Sequence, residues 1–416
     1  MLTTEKSSGR TLGIAVVGLG GGVATTMVAG LEMMRRGMTG TEGLPLAEID
    51  IDRTGLSAYG DIVCAGWDVN PQDLASAVRE HGVLSEPYLA PIEDRMSAIR
   101  PWKAGADRAF CANIEGSHVA DGNSKRSLVE QFRADLRRFR VEKGLDDLVV
   151  INLASTEKVS DPLHPDFATP AAFSKAVDDN HDTVAPAMLY AYAAILEGVP
   201  FGNFTPSLAS EMPALVALAN ERGVPLAGRD GKTGQTFMKT VLAPALRGRA
   251  LHVDGWYSTN ILGNRDGKAL EDPASLGSKL HTKGGVLDQI LGYPVENHLV
   301  QISYYKPRGD NKEAWDNIDV TGFLGERMQI KINFLCKDSI LAAPRAIEIA
   351  RCRDLAKRRG EAGPIEALST FFKAPLTRGG EPEHAFGRQQ AMLMDWLGAG
   401  TDPMTGTVRP AATAAE

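Results

Sequence analysis

The stretch Thr11–Arg36, TLGIAVVGLGGGVATTMVAGLEMMRR, decides the fold class. Thr11 to Val17 is a short apolar run of strand type, the glycines Gly18, Gly20, Gly21 and Gly22 follow, and Thr25 to Arg36 carries a helical pattern. Strand, glycine turn and helix in that order are the opening unit of a dinucleotide-binding α/β domain. Glycine lets the backbone turn sharply and approach a pyrophosphate, whose charge the helix N-terminus then stabilises. The loop departs from GxGxxG because Val23 occupies the third glycine position. A ribose-holding acid is expected at the end of the second strand, where Asp68 stands in Gly66-Trp67-Asp68-Val69-Asn70. Asp68 comes later than the usual offset of roughly twenty residues, which implies an insertion at 38–58. An acid here, rather than an arginine, favours NAD over NADP.

Outward from that unit the pattern repeats. Asp61 to Val69 and Asp147 to Leu153 read as further buried strands; Lys125 to Val141, Val184 to Glu197 and Pro213 to Arg222 read as helices. Strands alternating with helices predict a Rossmann-like, doubly wound α/β domain. After about Gly248 the pattern changes. Leu251–Trp256, His298–Lys306 and Arg327–Phe334 look like strands with alternating faces, suited to an antiparallel or mixed sheet. Ser339 to Arg353 returns to helix, and Ile365 to Phe372 reads as another. The expected organisation is a flexible leader over 1–10 and an NAD-binding domain over 11–244. An inserted β-rich α+β domain, for catalysis and oligomerisation, follows over 245–340. The chain returns to the first domain over 341–401 and ends in a disordered tail over 402–416.

The chain has 416 residues, 43% of them apolar and 23% charged, an ordinary globular balance that exceeds a single compact core. A net charge of −7 argues against a nucleic-acid-binding surface as the main function. No run of eighteen apolar residues and no signal-peptide core is present, so no membrane partner is expected. Cys64, Cys111, Cys336 and Cys352 form no CxxC pair; a reducing cytoplasm is their simplest home. His81, His118 and His164 show no metal-ligand spacing.

Chemistry concentrates in Gly228–Lys283, which holds GRDGKTGQT, NILGNRDG and SKLHTK with almost no apolar filler. Lys232, Lys239, Lys268, Lys279 and Lys283 fall inside it with Asp230, Asn260, Asn264 and Asp266. Lysine serves as a compact charge for phosphate, or as a proton donor and acceptor when burial lowers its pKa. An anionic sugar phosphate undergoing carbonyl chemistry needs both.

In order and spacing, VVGLGGGVA, GWDVN, NLASTE, GNFTPS, GRDGKTGQT, STNILGNRDG, SKLHTK, YYKPRGDNK and FFKAPL resemble the myo-inositol-1-phosphate synthases over nearly the whole chain. That resemblance implies conversion of D-glucose 6-phosphate to an inositol monophosphate, with NAD consumed and regenerated in each cycle, by a homotetramer. It implies that Gly18, Gly20, Gly21, Gly22, Val23, Asp68 and Asn70 hold the adenosine diphosphate part. Ser155 and Thr156 would also contact the cofactor, with Asp230 near the nicotinamide. It further implies a reacting-centre shell of Lys232, Asn260, Asp266, Lys279, Lys283, Lys306 and Lys373. Within that shell Lys283 and Lys373 serve the C5 oxygen, Lys279 and Lys306 the aldehyde oxygen or phosphate, and Lys232 the proton shuttle. Asp266 is the candidate ligand for a divalent metal, which some relatives use; no metal site is assigned. Ser155, Arg229, Thr259 and Gly22-Val23-Ala24 depart from the family pattern. They keep open a homologous cyclase acting on another sugar phosphate, such as fructose 6-phosphate, to give a cyclopentane polyol phosphate.

Overall fold

A computed structural model describes residues 9–112, 116–122, 124–264, 267–268 and 285–398. The apolar run at the start becomes β1 (Leu12–Val17), all six residues buried. A strand apolar at every position is covered on both faces, as in the middle of a parallel sheet. β1 pairs in parallel with β2 (Ile62–Asp68) on one side and β4 (Asp147–Asn152) on the other. With β3 (Trp102–Lys103), β5 (Phe201–Asn203), β6 (Pro225–Ala227) and β11 (Gly363–Pro364), the order is β11-β6-β5-β4-β1-β2-β3. Strand order reverses beside β1, which opens a crevice at the carboxyl ends of the strands, where such folds bind ligands.

Helices cover both faces. Among the described residues, the α-helices of six residues or more are α1 (Gly22–Arg35), α2 (Leu74–His81), α3 (Lys125–Lys143), α4 (Pro170–Asp178), α5 (Pro186–Leu196), α6 (Pro213–Glu221), α7 (Gln235–Gly248), α8 (Val286–Leu291), α9 (Asp338–Arg358) and α10 (Phe386–Leu397). On one face α1, α2, α9 and α10 share a core with Ile14, Val16 and Ile151; on the other, α3 to α6 share one with Ala15, Val17 and Val150. The single strand β1 feeds both cores through its alternating side chains. α1 begins three residues before the sequence reading, because the last loop glycine already has helical hydrogen bonding: Thr25 N–H reaches Gly21 O at 2.9 Å. The expected insertion is real structure. Its Leu46, Ile49 and Leu56 are buried, and the Asp50 side chain caps the one-turn helix Ile51–Thr54. Arg10, read as the end of a leader, is anchored on Asp147 at 2.6 Å.

The second sheet is built from β7 (His252–Leu262), β8 (Asn297–Tyr304), β9 (Asn311–Thr321) and β10 (Arg327–Lys337), in the order β10-β9-β7-β8. β7 and β8 run parallel and the other pairs antiparallel, which makes the expected mixed sheet. α7 and α8 close its inner face around Trp256, Leu287 and Ile318. Four sequence readings need correction. β9 was not recognised, and β7 extends to Leu262 instead of stopping at Trp256. In both, the buried face carries polar residues (Ser258 and Asn260 on β7, Lys312 and Asp316 on β9), which erases the apolar alternation. The helix expected over Ile365–Phe372 is a 3-10 segment over Glu366–Phe371, and α10 was not anticipated.

Candidate active site

A cavity of about 710 Å³ runs from the carboxyl ends of β1, β2, β4 and β5 to the end of the second sheet. At its first end, Gly18 adopts φ +86°, and a Cβ there would stand 3.0 Å from the Ala154 backbone. Gly20 N–H donates to Asp68 Oδ2 at 2.8 Å, and Asn70 N–H donates to Asp68 Oδ1 at 2.9 Å. A Cβ on Gly20 would lie 3.1 Å from that carboxylate. The backbone requirement for glycine is therefore steric as well as conformational. Gly21, Gly22 and Val23 open the N-terminus of α1, which has no side-chain cap, into the cavity, and Asp68, Asn70, Ser155 and Thr156 join them on its wall. An uncapped helix N-terminus beside a carboxylate at the end of β2 suits a pyrophosphate and a ribose diol. His81, which sequence reasoning set aside, completes this end with a ring nitrogen 2.7 Å from Gly20 O.

The other end is rich in paired charges. Lys373 Nζ donates to Asp230 Oδ1 at 2.5 Å, both residues being buried. They meet because residues 228–232 and 371–376 form a short antiparallel ribbon: Lys373 N–H reaches Asp230 O at 2.7 Å, and Lys232 N–H reaches Phe371 O at 2.8 Å. Asn260 Nδ2 donates to Gln235 Oε1 at 2.5 Å, and Lys306 and Lys268 stand on the same wall. Asp266, Lys279 and Lys283 lie outside the described residues.

Several wall residues were missed by the sequence reading. Lys312, buried on β9, bonds Thr233 Oγ1 at 3.1 Å and forms an ion pair with Asp338 at the start of α9. Asp310 accepts from Ser339 N–H at 3.0 Å, from Ser339 Oγ at 2.8 Å and from Asn264 Nδ2 at 3.3 Å. Burial raises its carboxyl above the usual range, against those hydrogen bonds. Glu157 is pushed up to about 8 by burial. Lys312 carried one usable signal: with Ala314, Asp316 and Ile318 it shares the buried face of β9.

Two expected residues do not line the cavity: Gly20, whose N–H is turned onto Asp68, and Lys232. Gly231 and Thr233 line it, but Lys232 between them does not. Its Nζ turns the other way, onto Gln389 Oε1 of α10. Among the described residues no three His, Cys, Asp or Glu side chains cluster as a metal site.

One family model matches this chain. That model, described as myo-inositol-1-phosphate synthase, an NAD-binding family, covers residues 52–398. This chain belongs to that family. Inositol-3-phosphate synthase 1 of Bacteroides thetaiotaomicron is 41% identical over 94% of this chain and 96% of its own length. Inositol-3-phosphate synthase of Saccharomyces cerevisiae is 30% identical over 93% of this chain and 84% of its own. The crystal structure of inositol-3-phosphate synthase from Caenorhabditis elegans superposes with a TM-score of 0.87 at 26% identity, covering 94% of this chain and 86% of that one. For a myo-inositol-1-phosphate synthase family member, the cofactor is NAD. The cradle of Gly18, Gly20 and Asp68 fits it.

Proposed function

We propose that this chain converts D-glucose 6-phosphate to a myo-inositol monophosphate by a redox-neutral cyclisation. The observation that carries the reading is the continuity of the glycine cradle with the Lys373–Asp230 and Lys312–Asp338 pairs in one cavity. NAD, when bound, would supply the hydride removal at C5 that makes the neighbouring carbon acidic, and the hydride return that restores the cofactor after ring closure.

The protein's own groups do the rest. Ring closure places developing negative charge on carbonyl oxygens, and preorganised ammonium groups in a water-poor cavity stabilise that charge far better than water does. Asp230 fixes the direction of the Lys373 ammonium, which faces the cavity where a substrate oxygen would sit. Asp338 and Thr233 do the same for Lys312. The Asn260–Gln235 amide pair presents donors and acceptors to hydroxyls. The N-terminus of α7, entered through Thr233, Gly234 and Gln235, offers backbone N–H groups to a phosphate. Lys306, at the rim, adds positive charge. Lys279, Lys283 and Asp266 complete the shell by resemblance to the family.

We take residues 11–244 and 341–401 as the cofactor-binding unit and 245–340 as the inserted one. Apolar side chains on the outer face of the second sheet, Leu299 and Leu335 among them, are more than half exposed. They support a homotetramer joined through that face, which light scattering would test. Thiols outside any disulfide at Cys64, Cys336 and Cys352 are consistent with a reducing cytoplasm. Among the described residues no helix is long and apolar enough to cross a membrane.

The decisive experiment incubates the purified protein with glucose 6-phosphate and NAD and identifies the product by NMR. An inositol monophosphate should form without steady growth of absorbance at 340 nm. Net NADH accumulation, or turnover of fructose 6-phosphate in preference to glucose 6-phosphate, would overturn the reading.

A further inference from the structure

Lys232 is among the largest fully buried side chains, 1% exposed, yet it stands apart from the cavity that both its chain neighbours line. Among the described residues its ammonium has a single hydrogen-bonding partner, Gln389 Oε1 on α10. Gln389 is itself fully buried and donates from Nε2 to Glu383 O, so the amide is held at both ends. The charged and titratable groups around Lys232 are His384 and Glu383 from the segment before α10, and Arg345 from α9. Burial first, and the Arg345 charge second, lower the Lys232 amine to about 7. Burying an amine without a carboxylate partner costs stability. A methionine of similar length would fill the space without that cost, so packing alone does not account for a lysine here.

The ribbon it belongs to has a local difficulty to overcome. Asp230 holds a left-handed backbone, φ +59°, a conformation that side chains with a Cβ adopt at a cost of roughly 1 kcal/mol. Such a residue keeps its conformation only where the surroundings over-determine it. Backbone bonds from Asp230 N–H to Thr205 O at 3.0 Å, and from Gly231 N–H to Phe204 O at 2.8 Å, fix one side of the ribbon. A Cβ on Gly231 would lie 2.1 Å from the Phe204 ring, so the chain is pressed against that side with no slack. On the other side the Lys232–Gln389 bond ties the ribbon to α10. α10 in turn packs on α7 through Phe386 and Phe237, ring centroids 5.3 Å apart.

We infer that Lys232 is a positioning residue. Through Gln389 it locks α10 behind the 228–232 and 371–376 ribbon and so sets the placement of Asp230 and Lys373 in the cavity. This replaces the proton-shuttle role the sequence suggested, because an ammonium turned onto α10 has no approach to a reacting atom. The inference rests on the cyclisation reading above.

Three variants test it: Lys232→Met, Gln389→Met and the two together. Each breaks the same bond, and the double variant leaves only the Glu383 carbonyl without its donor, so it recovers most of the thermal stability lost by the single changes. Turnover of glucose 6-phosphate should fall about 10- to 100-fold in all three, as expected for a misplaced reacting group. KM for the sugar phosphate and the affinity for NAD should stay within about twofold, since groups in the binding cradle are untouched. Recovery of kcat together with melting temperature in the double variant would reduce Lys232 to a packing role and overturn the inference. So would a kcat within twofold of the parent in the single variants. A parent protein that does not turn over glucose 6-phosphate sinks the cyclisation reading and this inference with it. A parent with normal turnover and unaffected variants sinks this inference alone.

Discussion

The two ends of the cavity are built on opposite principles. The end we propose for the cofactor rests on β1, a strand apolar at every position, and on backbone groups: Gly20 N–H, Asn70 N–H and the N-terminus of α1. The end we propose for the reaction rests on strands whose buried faces are polar and on side chains that pair across the fold: Lys373 with Asp230, Lys312 with Asp338, Asn260 with Gln235. A cofactor used in every cycle needs a cradle of fixed shape. A substrate whose oxygens gain and lose charge needs ammonium groups held in place by carboxylates. The difference shows that shape can be delivered by local backbone, whereas oriented charge requires distant segments to meet.

The comparison breaks most visibly if the charges at the reacting end can be removed cheaply. Lys373→Ala should lower turnover of glucose 6-phosphate by about 10²–10³, the usual cost of losing one oxyanion-stabilising donor, while NAD binding followed by fluorescence stays near the parent value. Lys312→Met should fall in the same class with a smaller loss. Turnover within tenfold of the parent for both variants would place the chemistry elsewhere.

A smaller effect is expected at the cofactor end. In Gly20→Ala the new Cβ meets the Asp68 carboxylate at 3.1 Å, closer than most real contacts, and must push the acid from its place. NAD affinity should drop by about tenfold, or 1.4 kcal/mol, with the turnover at saturating NAD largely kept. A fall in kcat at saturating cofactor, with unchanged affinity, would blur the division between the two ends.

The smallest effect sharpens the boundary. Glu157 sits on the cavity wall between them, its carboxyl raised to about 8 by burial. In the unfolded chain it ionises near the ordinary glutamate value of about 4.3. The folded state thus holds this proton where the unfolded state has lost it, so the contribution to stability is fully present at low pH. It declines as pH rises from the unfolded value through about 8. Melting temperature measured against pH should decline less steeply over that window in Glu157→Gln. Parallel curves for the two proteins would show that Glu157 is not held neutral.

The legibility of the chain divides along the same line. Thr11–Arg36 could be read because apolar runs and glycines act through their immediate neighbours. Asp68 could be placed despite its unusual distance from the loop, because its role depends only on the end of β2. β9 escaped notice, and with it Lys312, because two charged residues on its buried face imitate a solvated segment. α10 escaped as well, and the consequence was larger: without it, Lys232 had no visible partner and was read as facing the substrate.

Order along the chain determined the α/β class, the glycine cradle and the family, since periodicity and motif spacing are properties of neighbouring residues. The tertiary structure alone decided which charges meet: Lys373 and Asp230 are 143 residues apart, and Lys232 and Gln389 are 157 apart. A hydrogen bond requires approach to within about 3 Å. Over such separations that approach is set by the packing of sheets and helices and not by anything written beside either residue.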